Sequence, residues 1–150
     1  MKTQEQARLV FQSLTEIAII AHLADTRLAQ DLPNDLSVAG FGVLNHFARL
    51  GLEAESPTKL ARAFQVTKGA MTYTLQALEA QGYVRIDPDP ADARGKLVRV
   101  TKAGLKAREA AIARVMPGIE LLLQQIPAAE FEGALPLLTK LRQALDAARG

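Results

Sequence analysis

The chain is constrained most by residues 56–82, which have the pattern of two short helices joined by a very short turn. Ser56 followed by Pro57 marks a helix start, because the hydroxyl can accept a free backbone N–H and proline suits the first helical position. Thr67 can cap the second helix, and Gly82 ends it. The apolar face of the first helix holds Leu60, Ala61 and Phe64, and that of the second holds Met71, Leu75 and Leu78. This pattern predicts a helix-turn-helix.

Two extended segments follow the helices. Val84 and Ile86 alternate with polar neighbours, and Leu97 begins a second extended run that ends at Val100. The segment between them is rich in Asp, Pro, Ala, Arg and Gly, a composition typical of loops. The sequence therefore predicts a two-stranded hairpin with a mobile tip, the wing of a winged helix-turn-helix.

The hairpin segment also carries a specific motif. The stretch DPADARGKLVRVT, which starts at Asp89, contains an Asp, one spacer and an Arg, then a strand end, and Gly104 follows. Together with Leu78, Glu79 and Gly82, this stretch closely resembles the wing signature of the MarR family of bacterial transcriptional regulators. The resemblance spans nearly the whole chain. It implies a mainly α protein with a small β-hairpin wing (α+β), in which long N- and C-terminal dimerisation helices flank the winged helix-turn-helix.

The chain departs from the family pattern at three positions. Gln65 stands where many helix-turn-helix units have glycine, Ile86 stands where family members often have Arg, and Val100 replaces Leu. We expect a single domain over residues 1–150. Within it, residues 36–106 form the winged unit, and residues 1–35 and 107–150 form a helical dimerisation region.

The N-terminal half is predicted to contain two further helices. Residues 3–30 carry apolar side chains at alternating spacings of four and three, which indicates one long amphipathic helix. A second helix begins at a cap, Ser37, and closes at Gly51. Its expected inward side chains are Phe41, Leu44, Phe47 and Leu50.

The C-terminal part is predicted to be helical as well. Residues 102–125 form a helix in which Pro117 predicts a kink, and a last helix starts at Pro127. A monomer would leave much of the apolar surface of these end helices exposed. We therefore expect a two-fold dimer in which the end helices of two copies interleave.

Composition excludes several classes of site and of location. The chain has no cysteine, which rules out disulfides, thiolate metal centres and cysteine nucleophiles. The N-terminus lacks the apolar run of a signal peptide, and no stretch approaches the roughly 20 apolar residues of a membrane span. We expect a cytoplasmic protein with no membrane partner, no cofactor and no metal.

The net charge of +2 is unevenly distributed. Residues 56–106 contain nine Lys and Arg against four Asp and Glu, a net charge of +5, and the rest of the chain carries −3. Basic charge beside a helix-turn-helix is what contact with DNA phosphates requires. Chance clustering on a solvated surface is the alternative interpretation.

The second helix of the motif presents polar side chains on the side away from its apolar face. Lys68 and Gln76 can reach base edges. Thr67 and Thr72 can reach phosphates or a thymine methyl, and Tyr73 can donate to a phosphate. Gly69 permits close approach of the backbone. The alternative is an ordinary exposed polar helix face. The predicted DNA-binding residues are Thr67, Lys68, Gly69, Thr72, Tyr73, Gln76, Arg94 and Lys96.

Arg94 is the wing residue that we expect to enter a narrow minor groove. Asp92 can orient Arg94 by pairing with it. Asp87, Asp89 and Asp92 also make the wing acidic, which favours a role in protein binding instead.

The two histidines, His22 and His46, are far apart in the sequence. A metal site would need further carboxylate ligands. The resemblance implies that both lie in helices lining a crevice for a small aromatic or phenolic effector.

Three functions follow in order of preference. The first is a homodimeric, sequence-specific regulator, in such families usually a repressor, that binds double-stranded DNA at a palindromic operator and responds to a small molecule. The second is a winged-helix module that binds protein and has little DNA affinity. An enzyme is disfavoured, because the sequence has no phosphate-binding loop, nucleophile motif or metal-ligand spacing.

Overall fold

The computed structural model describes residues 2–149. Within that range the chain is mainly helical and has one small antiparallel sheet, which confirms the predicted fold class. The elements, in chain order, are α1 (Lys2–Asp31), α2 (Val38–Leu50), β1 (Ala54–Glu55), α3 (Pro57–Phe64), α4 (Lys68–Ala80), β2 (Val84–Asp89), β3 (Asp92–Val100), α5 (Lys102–Gln125) and α6 (Ala128–Ala148). The described residues form two compact units, and the division falls within α5, between Arg114 and Val115.

The helix-turn-helix consists of α3 and α4, and its predicted caps are present. The Ser56 hydroxyl accepts a hydrogen bond from the backbone N–H of Lys59 at 3.2 Å. The Thr67 hydroxyl accepts one from the N–H of Ala70 at 3.1 Å. Between the helices, Gln65 adopts a left-handed conformation with φ 55°. This conformation favours glycine, which explains why glycine is common at this turn.

The core of the first unit lies where α2, α3 and α4 pack against the sheet. On α2, Ser37 caps the start as predicted, and Phe47 is buried. Leu50, which was expected to face inward, is 47% exposed, because the helix ends there and Gly51 turns the chain. The buried apolar side chains are Leu32, Leu36, Val43, Leu44, Phe47, Leu60, Ala61, Met71, Leu75, Leu78, Val84, Val98 and Ala111.

The predicted hairpin is present, with β2 antiparallel to β3. A third strand that the sequence did not predict extends the sheet, and the strand order is β1-β3-β2. The additional strand, β1, comes from the segment expected to be a plain connection, and it places Ala54 opposite Arg99. The expected loop is also largely paired, since β2 runs to Asp89 and β3 starts at Asp92. A strand of two residues is too short to show the alternation of apolar and polar residues by which strands are recognised in a sequence.

The long helix α1 is confirmed, but little of its surface is covered in the described chain. Leu14, Ile17 and Leu28 are half-buried, and none of its residues is buried. Among residues 2–149, α1 is the one helix long and apolar enough to cross a membrane by length and composition. The expectation that no segment approaches the length and apolar character of a membrane span was therefore wrong for α1. The large exposed side chains of α1 are Leu9, Val10, Phe11, Ile19, Ile20 and Leu23.

The second unit contains the end of α5 and all of α6. The predicted helices are confirmed, and neither Pro117 in α5 nor Pro136 in α6 ends its helix. None of the described residues of α6 is buried. A purely apolar groove of about 310 Å³ is lined by Ile119, Leu122, Leu123, Ala128 and Phe131.

The start of α5 is joined closely to the end of α4. The Thr101 hydroxyl donates to the carbonyl of Gly82 at 2.6 Å and accepts from the N–H of Gly104 at 3.0 Å. The Thr101 N–H donates to the carbonyl of Tyr83 at 3.1 Å. A Cβ atom on Gly104 would lie well inside van der Waals contact with that carbonyl oxygen. The Tyr83 hydroxyl, in turn, donates to Asp35 at 2.7 Å, and this hydrogen bond raises the pKa of Tyr83.

We therefore expect Gly104→Ala to destabilise the chain. The new methyl group would meet backbone atoms, which cannot rotate away as a side chain can. The free energy of unfolding should therefore fall by about 1–3 kcal/mol or more, the range typical of overpacking. Urea denaturation followed by circular dichroism measures it. Gly69→Ala is the matched control, because a Cβ there has no neighbour within 4 Å. Equal stability of the two variants would contradict the close approach.

Candidate nucleic-acid interface

One side of α4 is exposed and polar, and the other is buried. Met71, Leu75 and Leu78 are buried, as the periodicity predicted. Tyr73 is 79% exposed. The predicted contact residues on this helix and its cap are all exposed: Thr67, Lys68, Gly69, Thr72, Tyr73 and Gln76.

Thr67 has a structural role in addition to its predicted one. Its hydroxyl oxygen accepts the N–H of Ala70, which fixes the start of α4. A hydroxyl that accepts one hydrogen bond still has a proton to donate. Thr67 can therefore cap the helix and donate to an acceptor outside the chain.

A cleft of about 390 Å³ lies between α4 and the wing, and we call it the helix–wing cleft. It brings together four of the eight predicted contact residues: Thr72 and Gln76 from α4, and Arg94 and Lys96 from β3. The other four, Thr67, Lys68, Gly69 and Tyr73, do not line it. The complete lining is Pro57, Thr72, Leu75, Gln76, Glu79, Ile86, Asp87, Pro88, Ala93, Arg94, Gly95 and Lys96.

The acidic residues of the wing shape its backbone. The Asp92 carboxylate accepts from the backbone N–H of Arg94 at 3.0 Å, and the Asp89 carboxylate accepts from the N–H of Ala91 at 2.9 Å. No ion pair joins Asp92 to the Arg94 guanidinium among the described residues. Asp92 thus acts on the main chain of Arg94 and leaves its side chain exposed.

The positive charge of the winged unit is divided between two surfaces. The helix–wing cleft is lined by Arg94 and Lys96, but also by Glu79 and Asp87. A second cleft, of about 530 Å³, is lined by Glu53 and by three cationic side chains, those of Arg85, Arg99 and Lys102. The net charge of +5 therefore overstates the positive charge at the helix–wing cleft.

Glu79 is a residue of this cleft that was not predicted from the sequence as a site residue. Its carboxylate accepts from the backbone N–H of Ile86 at 3.0 Å, so it links α4 to β2. Glu79 lies three residues after Gln76 and therefore on the same side of the helix. This spacing is the feature of the sequence that could have placed Glu79 beside the predicted contact residues.

The structure does not bring the two histidines to a common site. His22 is exposed on α1. His46 lies on α2, where its ring centroid is 5.3 Å from that of Phe64 on α3. Neither residue lines any of the three clefts described here. No group of three or more metal-binding side chains occurs in residues 2–149.

A polar recognition helix beside a β wing defines the class of winged helix-turn-helix proteins. Residues 34–95 match the sequence model of the MarR family. The winged unit therefore resembles that of MarR-family regulators, in agreement with the resemblance seen in the sequence. No curated protein matches the chain.

Solved structures of the same fold extend over most of the chain. Wild-type apo MarR from E. coli is 29% identical, with a TM-score of 0.72 over 85% of this chain and 94% of that one. BldR from Sulfolobus solfataricus is 25% identical, with a TM-score of 0.70 over 87% and 94%. A MarR mutant from E. coli complexed with operator DNA is 26% identical, with a TM-score of 0.64 over 87% and 96%. The chain has the fold of MarR-family transcriptional regulators.

His46 provides a test of packing between α2 and α3. Burial is the main cause that lowers the pKa of His46 from its ordinary value of 6.5, and Arg49 adds to it against an opposing effect of Glu55. The unfolded chain therefore binds more protons than the folded chain just below that pH, so His46 makes the fold less stable as the pH falls.

We expect the native chain to lose more stability than His46→Gln between about pH 7.5 and about pH 5. Thermal melting of both proteins at the two pH values measures the difference. The carboxylates titrate in both proteins, so the comparison isolates His46. An equal loss in native and variant chains would contradict the burial of this ring.

Proposed function

We propose that the protein is a homodimeric transcriptional regulator that binds a palindromic DNA site through α4 and the wing. The helix–wing cleft is the observation that carries the proposal, because it joins an exposed polar helix face to two cationic wing residues on one surface. The MarR mutant whose structure contains operator DNA supports it, since that protein shares this fold.

The contacts divide by chemistry. The start of α4 enters the major groove, where Lys68 and Gln76 read base edges. Thr67, Thr72 and Tyr73 donate to phosphates and fix the register. Arg94, at the exposed end of the wing, enters the minor groove.

Exposed apolar surface supports the dimer. Phe11 is 73% exposed on α1, and α6 has no buried residue in the described chain. Apolar surface of this extent on a single chain marks an interaction face. A two-fold dimer presents two copies of α4, and half-sites about one helical turn apart then form a palindrome.

A membrane is the other environment that α1 fits by length and composition. Arg8 and Glu16 lie within this helix, and each would cost free energy in a bilayer core. At the surface of a helical dimer both can remain in water. We therefore assign the apolar surface of α1 to a partner copy, and the protein to the cytoplasm.

A dimer bound at an operator excludes other proteins from that DNA, so we propose a repressor, without enzymatic activity. A small aromatic or phenolic effector would act by changing the spacing of the two α4 helices.

The competing function is a winged-helix module that binds protein. The two carboxylates in the helix–wing cleft favour it, because they oppose phosphate binding. Binding to DNA decides between the two functions.

Selection from random duplex DNA should enrich a palindrome. Lys68→Ala and Gln76→Ala should each relax the preference at particular bases, at about 1–3 kcal/mol for a good base contact. Lys140→Ala, on exposed α6, is the control for loss of one positive charge. Failure to enrich any sequence would favour the protein-binding module.

The dimer is tested by light scattering. The native chain should have about twice the 16.2 kDa mass of one copy. Phe11→Glu should shift the equilibrium towards monomer, because it places a charge in the apolar face. Gln12→Glu, the adjacent exposed residue, adds the same charge as a control. A native monomer at micromolar concentration would overturn the dimer, and a native chain soluble only in detergent would assign α1 to a membrane.

A further inference from the structure

We propose that Glu79 is a positioning residue: it holds the wing at a fixed angle to α4 and, through that angle, sets how the wing reaches DNA. The proposal rests on the proposed DNA-binding function. It adds a residue that does not itself contact DNA but acts through Arg94.

The contact is a hydrogen bond between the end of α4 and the first strand of the wing, β2. The Glu79 carboxylate accepts from the Ile86 N–H at 3.0 Å. Ile86 is in β2, the edge strand next to β3, and its N–H donates out of the sheet to Glu79. Pro88, two residues further along the same edge, has no N–H at all. Glu79 therefore satisfies an edge donor that β3 cannot reach.

No other side chain of α4 makes a hydrogen bond to β2 or β3 within residues 2–149. The main-chain connection between α4 and β2 is short and includes Gly82, with φ 77°. Apolar packing of Leu78 and Val84 in the core brings the helix and the strand together. Packing of apolar side chains is non-directional, whereas a hydrogen bond depends on angle. Glu79 is thus placed to set the orientation of the hairpin.

The electrostatics of the cleft support a positioning role over a direct one. Glu79 makes no ion pair among the described residues, whereas Asp87, the other carboxylate of the cleft, is paired with Arg85 at 2.8 Å. An unpaired carboxylate beside Arg94 and Lys96 repels phosphates and opposes DNA binding. The charge of Glu79 therefore works against the proposed function, and its acceptor oxygen is the useful property.

Two substitutions separate the charge from the acceptor. Glu79→Gln removes the charge and keeps an oxygen that can accept from the Ile86 N–H. Glu79→Ala removes both. Glu79→Gln should bind the selected DNA as tightly as the native chain or more tightly. Glu79→Ala should bind more weakly than Glu79→Gln, by between about twofold and tenfold, the value of one hydrogen bond.

The wing dependence is tested in a second background. In Arg94→Ala, the difference between the two Glu79 variants should disappear, because the wing no longer has a contact to position. In Lys68→Ala, which alters α4 alone, the difference should remain. Melting temperatures should be alike for the two Glu79 variants, because this hydrogen bond is exposed.

A measurement without DNA reports the angle itself. The chain has no cysteine, so Ala77→Cys on α4 and Ala91→Cys at the wing tip allow specific spin labelling. Dilution with unlabelled chain restricts the measured distances to one copy. The distance distribution between the labels should broaden in Glu79→Ala and stay narrow in Glu79→Gln.

The outcomes distinguish the two proposals. If the native chain binds no DNA, the proposed function fails, while the spin-label distances still test the positioning of the wing. If the native chain binds DNA but the two variants have equal affinities, Glu79 does not act through the wing. Unchanged distances in Glu79→Ala would overturn the positioning role, whatever the DNA result.

Discussion

The winged unit depends on the close approach of α5 to the backbone at Tyr83. Thr101 lies between β3 and α5, caps the start of α5 and donates to the carbonyls of Gly82 and Tyr83 in the connection from α4 to β2. Hydrogen bonds of one residue thus join the ends of β3 and α5 to that connection. Gly104 allows the approach because any side chain would meet the Tyr83 carbonyl. Since β3 pairs with both β1 and β2, fixing this joint fixes the whole sheet against the helices. The close contact between Gly104 and the Tyr83 carbonyl explains why the wing signature contains a glycine at this position.

The helix–wing cleft, the proposed surface for DNA, is assembled from residues that also have separate structural roles. Thr67 sets the start of α4 by capping it, and Asp92 sets the backbone at Arg94 by accepting its N–H. Carboxylates that look unfavourable for phosphate binding in the sequence have structural tasks in the fold. The charge of a segment is therefore a poor guide to the charge of a site, as the placement of Arg85 and Arg99 on another cleft illustrates.

The sequence predicted the helices and their caps because those signals are local. A cap needs only a hydroxyl and a free N–H within three residues, which is why Ser56 and Thr67 could be identified. The strand β1 could not, because two residues carry no period, and its pairing partner Arg99 lies far along the chain. The link between Glu79 and Ile86 was missed for a related reason, since it depends on the direction in which the hairpin leaves α4. Leu50 was predicted to be buried but is exposed, because helical periodicity does not show at which residue a helix stops packing against its neighbours.

The edge of β2 has a further consequence for the behaviour of the protein in a crowded solution. An exposed edge strand with free N–H groups can pair with strands of other molecules and seed aggregation. Here the Ile86 N–H is occupied by Glu79, Pro88 offers none, and the register is irregular between Pro88 and Asp89. The residues that shape the hairpin therefore also leave its outer edge with few donors for strand addition.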